Sequence, residues 1–387
     1  MKMHSGKFKD PLISRAQPVI VITPLVEETL RAAGIPSNRE RIIELFMTGQ
    51  PRMAVVHGGE DHPPNIGMRD TIRRLVRCIW ANNALPFEVS QNIPCEELAQ
   101  GSEGAHYALL SRNFCTANLA IQMEAQGYDA AIVVGVCDKM MVGNLRALVE
   151  TDLAHQRRRA RPIFAMLLPS LIGREVFATD EERRRFDPLG SRIGESERAE
   201  LEEFLHRPLK PDVYAGIKSM LDRCFHRRTI QENERDELER VMAKCTGVPG
   251  ANCAASAASM VHRLMLASFG LVPRRLDIAL RPISDEQLFE AVKRLVAGIQ
   301  KRERRVSVAS LVRSNLGNAA SVWSATGGHP AWILHLTYLA DALGKKITAA
   351  DVARRARSVP QIFAISETAG NSIYTMAMEA EDRKSVV

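Results

Sequence analysis

Apolar positions along the chain follow two periods, and the change from one to the other divides it into elements. "MAVVHGG" (53–59) is a short continuous apolar run closed by glycines, which predicts a buried strand. "GMRDTIRRLVRCIWANNA" follows with Ile72, Leu75, Val76 and Ile79 at helical spacing, and "LPFEVSQNIP" reads as a second strand with its loop. "EGAHYALLSRNFCTANLAIQMEAQG" predicts a long helix closed by Gly127. "DAAIVVGV" has the uninterrupted apolar character of a parallel strand covered on both faces, and "RPIFAMLLPS" supplies another strand after "NLRAL" resumes helix. Strands alternating with helices imply an α/β fold with a mainly parallel sheet flanked by helices.

Beyond this the rhythm changes. The stretch 180–210 is highly charged with little apolar periodicity and reads as an exposed, lid-like insertion. "NERDELERVMAKC", "CAASAASMVHRLMLASFG", "SDEQLFEAVKRLVAGIQ" and "HPAWILHLTYLADALG" make the second half mostly helical. The expected organisation is a basic arm over 1–17, then one large α/β domain over 18–387 with the charged insertion at about 180–210.

Composition narrows the class. No run of 18 or more apolar residues occurs, which argues against a membrane span, and the basic start lacks the apolar segment of a secretory signal. The seven cysteines (Cys78, Cys95, Cys115, Cys137, Cys224, Cys245 and Cys253) are odd in number and dispersed, which suits a reducing cytoplasm better than a disulfide framework. Net charge is +7, concentrated in "QRRRARP", "EERRRF" and "KRERRV". These runs mix with acids and no nucleic-acid motif accompanies them, so they read as solvated surface.

In an open α/β sheet, ligands gather at the carboxyl ends of the strands. Three stretches that could ligate a metal fall there: "HGGEDHPPNIG", "IPCEELAQGSEG" and "CDKMMVG". Cys137 offers a soft thiolate for iron, Asp138 and Glu96 hard oxygens for Mg²⁺, and Lys139 a cation for an anionic substrate or, if desolvated, a base. The plainer readings are a buried small hydrophobe for Cys137 and a helix cap for Asp138. In "CTGVPGANCAASAASM", Gly and Pro precede Cys253 at a predicted helix start, where thiolate is favoured; a tightly packed small-residue helix is the alternative.

Four of these segments, in order, resemble the family of dihydroxy-acid and 6-phosphogluconate dehydratases. They are "CEELAQGSEGAHYALLSRN", "GVCDKMMVG", "PGANCAASAASM" and "ATGGHPAWILHLTYLADALG", and the likeness runs from about Met53 to Gln361. It implies a lyase that removes water from a 2,3-dihydroxy carboxylic acid to give a 2-oxo acid. Three cysteines of such a protein hold an iron–sulfur cluster (2Fe-2S or 4Fe-4S), and Mg²⁺ sits on the Cys-Asp-Lys acid, a second carboxylate and in some members a carbamylated lysine. Carried over by position, Cys137 and Cys253 are cluster ligands, Asp138 and Lys139 the Mg²⁺ pair with Lys139 also catalytic, and Glu96 stands for the family's Asp.

Three departures qualify this. Pro64 occupies the place of the first cluster cysteine, leaving Cys95 or His62 as stand-ins. His329-Pro330-Ala331 replaces Ser-Thr-Asn, and the chain ends near the end of the family's first domain, without its C-terminal β-barrel. The resemblance therefore implies the iron–sulfur and Mg²⁺-binding half of a cytoplasmic dehydratase acting on a small hydroxy acid. Expected partners are further copies of itself, a separate small β-barrel subunit, or both, with neither nucleic acid nor membrane involved. The alternatives are a non-catalytic scaffold homologue that has lost the cluster, and an enzyme using Mg²⁺ alone.

Overall fold

Uninterrupted apolar runs fit only where both faces of a strand are covered, and the chain places its two such runs at the centre of a sheet. The computed structural model describes residues 19–58, 68–93, 103–135, 137–169, 171–172, 177–207, 211–242, 251–252, 257–273, 282–326 and 330–362. The basic arm expected over 1–17 lies outside them. Strands β1 (Arg52–Gly58), β2 (Leu85–Gln91), β3 (Ala130–Gly135) and β4 (Phe164–Pro169) form a parallel sheet in the order β2-β1-β3-β4. Every residue of β1 and β3 is buried, as their composition predicts, whereas edge strand β2 exposes Ser90. At the amino end Asp129 ties two strands together, accepting the Arg52 backbone N–H at 3.0 Å.

Helices α1 (Val19–Ala32) and α2 (Arg39–Met47) precede β1, and α3 (Met68–Ala81) buries the predicted Ile72, Leu75, Val76 and Ile79. A 3₁₀ turn, Glu103–Tyr107, leads into α4 (Ala108–Gln126), which ends at Gly127 in the left-handed conformation (φ 63°). The next helix, α5 (Asp138–Arg157), starts one residue after Cys137. It buries an almost continuous run from Met140 to Val149, so it is a central helix with no solvated face along that run. Its Gly143 permits a close crossing with α4: a Cβ there would lie 2.4 Å from the Arg112 carbonyl oxygen.

The charged stretch after β4 differs from its expected form. The two-residue strand β5 (Leu171–Ile172) pairs with β6 (Ala251–Asn252). Between them lie α6 (Asp180–Arg184), α7 (Asp187–Gly190), α8 (Glu195–His206), α9 (Pro211–His226) and α10 (Glu232–Met242). Phe186, Leu189, Leu201 and Leu205 from the charged stretch join Val213, Ile217, Met220, Leu221, Leu238 and Met242 in a second core, separate from that around the sheet. Of the short helices α6 buries no residue, α7 only Leu189 and α8 only Leu201 and Leu205, too few to show a periodic stripe; the core closes only when α9 and α10 are added.

The remaining elements are α11 (Ala257–Ser268), α12 (Asp285–Lys301), α13 (Val308–Ala325), α14 (Pro330–Ala342) and α15 (Ala349–Ala356). Buried Asp152 of α5 joins β4 to α13: its carboxylate accepts the Ile163 N–H at 3.1 Å and the Ala309 N–H at 3.0 Å. No described helix is long and apolar enough to cross a membrane.

Candidate functional site

The carboxyl end of β3 delivers three adjacent reactive side chains to the start of α5. Cys137 is the helix N-cap, in extended conformation and without a side-chain capping bond, and Asp138 and Lys139 open the first turn. Cys-Asp-Lys is thus the beginning of a 20-residue helix, and a carboxylate in that turn is favoured by the helix dipole.

Asp138 is the hub. Its Oδ2 accepts a hydrogen bond from His335 Nε2 at 2.8 Å, its Oδ1 lies 3.4 Å from Lys139 Nζ, and the Cys137 thiol reaches the same Oδ1 at 3.7 Å. The Asp138 and Lys139 side chains are 16% and 13% exposed, so the pair is sheltered yet reachable from solvent. Burial pushes the Cys137 thiol up to about 12, and the Asp138 carboxylate adds to the shift. At neutral pH the free thiol keeps its proton, which binding of a soft metal would displace.

Behind Asp138 stands a chain of groups in which each orients the next. His335, on α14, is buried, and its ring meets Trp332 edge-on with centroids 5.2 Å apart. Arg112, on α4, donates from Nη1 to His335 Nδ1 at 3.2 Å and contacts the Leu334 carbonyl at 3.4 Å. Its guanidinium lies 3.8 Å from the Tyr338 ring centroid; that of Arg146 lies 4.0 Å from the same ring. The Tyr338 hydroxyl is 2.9 Å from Thr116 Oγ1, which donates to the Gly143 carbonyl at 2.8 Å. Burial draws the Arg112 guanidinium below its ordinary value, while the Tyr338 and Asp138 groups oppose that shift.

A cleft of about 730 Å³ opens at the carboxyl end of β2, where Gln91, Asn92, Ser111 and Asn118 face Phe114 and Ile121. Its floor is braced by a reciprocal amide pair: Gln91 Nε2 donates to Asn144 Oδ1 at 3.0 Å and Asn144 Nδ2 to Gln91 Oε1 at 2.9 Å.

Of the residues expected from sequence to form a site, Cys137, Asp138 and Lys139 are adjacent and share one carboxylate. Cys95, Glu96 and Cys253 lie outside the described residues, as do His62, Pro64 and His329. Among the described residues no group of three or more metal-ligating side chains converges. The donor chemistry of Cys137 and Asp138, one soft and one hard ligand on neighbouring residues, fits a contribution to a larger ligand set, with the other ligands drawn from elsewhere. Arg112 and His335 belong to segments whose sequence resemblance is plain, yet nothing in the sequence places them on Asp138. Their separation from it is bridged only by the packing of α4, α5 and α14.

Residues 50–155, which hold β1 to β3, α3, α4 and nearly all of α5, match the family model for the dihydroxy-acid/6-phosphogluconate dehydratase N-terminal region. The dihydroxy-acid dehydratase 1 of Nocardia farcinica is 25% identical over 328 residues, covering 80% of this chain and 50% of the relative. That of Haloarcula marismortui is 24% identical over 297 residues, covering 76% and 44%. A dihydroxy-acid dehydratase of Methanoregula boonei is 31% identical over a shorter segment of 91 residues, 24% of this chain and 16% of the relative. The chain spans about half the length, or less, of the curated relatives it matches. The matched segment contains the Cys-Asp-Lys turn at the carboxyl end of a central parallel strand, and over that segment the chain is similar to the N-terminal region of the dihydroxy-acid/6-phosphogluconate dehydratases.

Proposed function

We propose that this chain is the metal-binding half of a hydro-lyase that converts a small 2,3-dihydroxy carboxylic acid into a 2-oxo acid. One observation supports the reading most: Cys137, Asp138 and Lys139 converge at the ligand-binding edge of the sheet, with Asp138 held from behind by His335. Cys137, with Cys253 and Cys95, would hold an iron–sulfur cluster, and Asp138, with Glu96 and, once carbamylated, Lys139, would hold Mg²⁺. When bound, such metals act as Lewis acids toward the leaving hydroxyl and the substrate carboxylate. As the free amine, Lys139, sheltered beside a carboxylate, would instead orient the anionic substrate or serve as its proton acceptor. The net change is loss of the 3-hydroxyl and the C2 proton as water, followed by ketonisation of the enol.

The Nocardia and Haloarcula relatives are about twice as long as the segment they share with this chain, so the assay supplies the complementary C-terminal half of one of them as a separate polypeptide. Anaerobically prepared mixture should form 2-oxo acid, detectable as a hydrazone, from a panel of sugar-type and branched 2,3-dihydroxy acids. Absence of product from every acid, with metals bound and the halves associated, would refute the catalytic reading.

A second reading is a non-catalytic homologue on the same fold, acting in the cytoplasm as a binding protein. It is favoured by the internal saturation of Asp138, whose two oxygens already face His335 and Lys139, and by Pro64 at a cluster-cysteine position. It predicts a colourless protein whose Cys137→Ala variant folds and functions as the parent does.

A further inference from the structure

The hydrogen-bond directions around His335 fix more than its position. A guanidinium can only donate, so Arg112 Nη1 at 3.2 Å requires an acceptor lone pair on His335 Nδ1. The ring proton then sits on Nε2, where it is donated to Asp138 Oδ2 at 2.8 Å. The imidazole cannot rotate freely, because Trp332 packs on it edge-on and it is 1% exposed. Nor is Arg112 free to retreat: it lies against the Tyr338 ring at 3.8 Å and is itself 8% exposed. A buried, single-tautomer histidine engaged on both nitrogens has no atom left for substrate or metal.

On these grounds we propose that Arg112 and His335 form a fixed-tautomer clamp that presents the Asp138 carboxylate to a divalent cation, making His335 a positioning residue. By occupying Oδ2 the clamp sets the plane of the carboxylate and turns Oδ1, on the side of Cys137 and Lys139, toward the site. The inference rests on the metal-site reading above and adds to it a residue from a distant part of the chain. Hydrogen-bonded groups behind a ligand commonly govern metal affinity, by about 10- to 100-fold.

Two substitutions separate the clamp from mere packing. In His335→Gln the side-chain amide N–H can reach the position of Nε2 and still donate to Asp138. In His335→Asn the shorter side chain can replace Nδ1 but not Nε2. Mn²⁺ binding to the full chain, followed by electron paramagnetic resonance, should weaken about 10- to 100-fold in His335→Asn and stay within about threefold of the parent in His335→Gln. Long-range ¹H–¹⁵N spectra of the metal-free parent should show His335 as the neutral Nε2–H tautomer. Circular dichroism melting checks that both variants fold; should His335→Asn not fold, the tautomer and the His335→Gln affinity decide the matter. Parent protein that binds Mn²⁺ while His335→Asn binds it equally well, or a His335 in the Nδ1–H form, would overturn the clamp alone. Parent protein that binds no Mn²⁺ would overturn the metal-site reading and the clamp's purpose with it.

Discussion

The crossing of α4 over α5 rests on a single missing methyl group, and restoring it tests how the site is held. In Gly143→Ala the new Cβ would lie 2.4 Å from the Arg112 carbonyl oxygen and 3.1 Å from Cys115 Cβ. Ordinary contact begins near 3.4 Å, so the helices must part by about 1 Å. The obstacle is backbone, which cannot rotate away as a side chain would. Overpacking of this kind costs about 1–3 kcal/mol. Separation also stretches the buried Thr116 Oγ1 to Gly143 O bond, 2.8 Å long, worth about 0.5–1.5 kcal/mol. Against this, Gly→Ala in a helix interior gains about 1 kcal/mol. The net expectation is destabilisation by about 2 kcal/mol. Gly317→Ala is the control: it lies inside α13 with nothing within 4 Å of its Cβ position, so the propensity gain should appear alone. Urea unfolding followed by tryptophan fluorescence suits the comparison, because Trp80, Trp323 and Trp332 all report on the core around the sheet. A Gly143→Ala midpoint at or above the parent's, moving as Gly317→Ala does, would refute the close-crossing account. If the account holds, the displaced Arg112 should also loosen the clamp on His335.

Three further expectations concern other groups. Asp152→Ala should destabilise the fold by about 3 kcal/mol, since it leaves the buried Ile163 and Ala309 N–H groups without their charged acceptor; urea unfolding that shifts by less than about 1 kcal/mol would count against that role. Hydrogen bonds from His155 and Arg158 hold the Glu124 carboxyl near about 2, below the ordinary 4.5, so its contribution is complete above the ordinary carboxylate range and disappears as pH falls toward 2. The melting-temperature difference between the parent and Glu124→Gln should therefore shrink between about pH 5 and pH 2, and a difference constant over that range would contradict it. With its thiol near 12 against an ordinary 9.0, Cys137 should carry roughly a thousandfold less thiolate than a free cysteine at pH 8; peptide mass spectrometry should find it alkylated by iodoacetamide far more slowly than an unfolded control, and equal rates would contradict the burial.

Much of the sheet is legible in the sequence because burial on both faces leaves a mark that survives without context. β1 and β3 show it as unbroken apolar runs, α3 as a single stripe at Ile72, Leu75, Val76 and Ile79, and Gly127 as the left-handed stop of α4. The second core is not legible. Phe186, Leu189, Leu201 and Leu205 are scattered through short charged helices and make sense only against α9 and α10. The site divides in the same way. Cys137, Asp138 and Lys139 are visible as chemistry at a strand end, whereas Arg112 and His335 look like one arginine and one histidine on two separate helices. Their role depends on a crossing that no local pattern records. The position of the cap is a finding of the structure: Asp138, the capping residue the sequence offers, opens the first turn of α5, and the N-cap falls on Cys137 instead.

The account turns on whether Cys137 and Asp138 hold metal. The direct test is iron and acid-labile sulfide analysis, with an absorption spectrum, on protein prepared anaerobically from iron-replete cells. Matching amounts of iron and sulfide with a brown chromophore, both lost in Cys137→Ala while the melting temperature is retained, are the predicted result. A colourless parent protein free of iron and sulfide, or one whose iron survives Cys137→Ala unchanged, would contradict it.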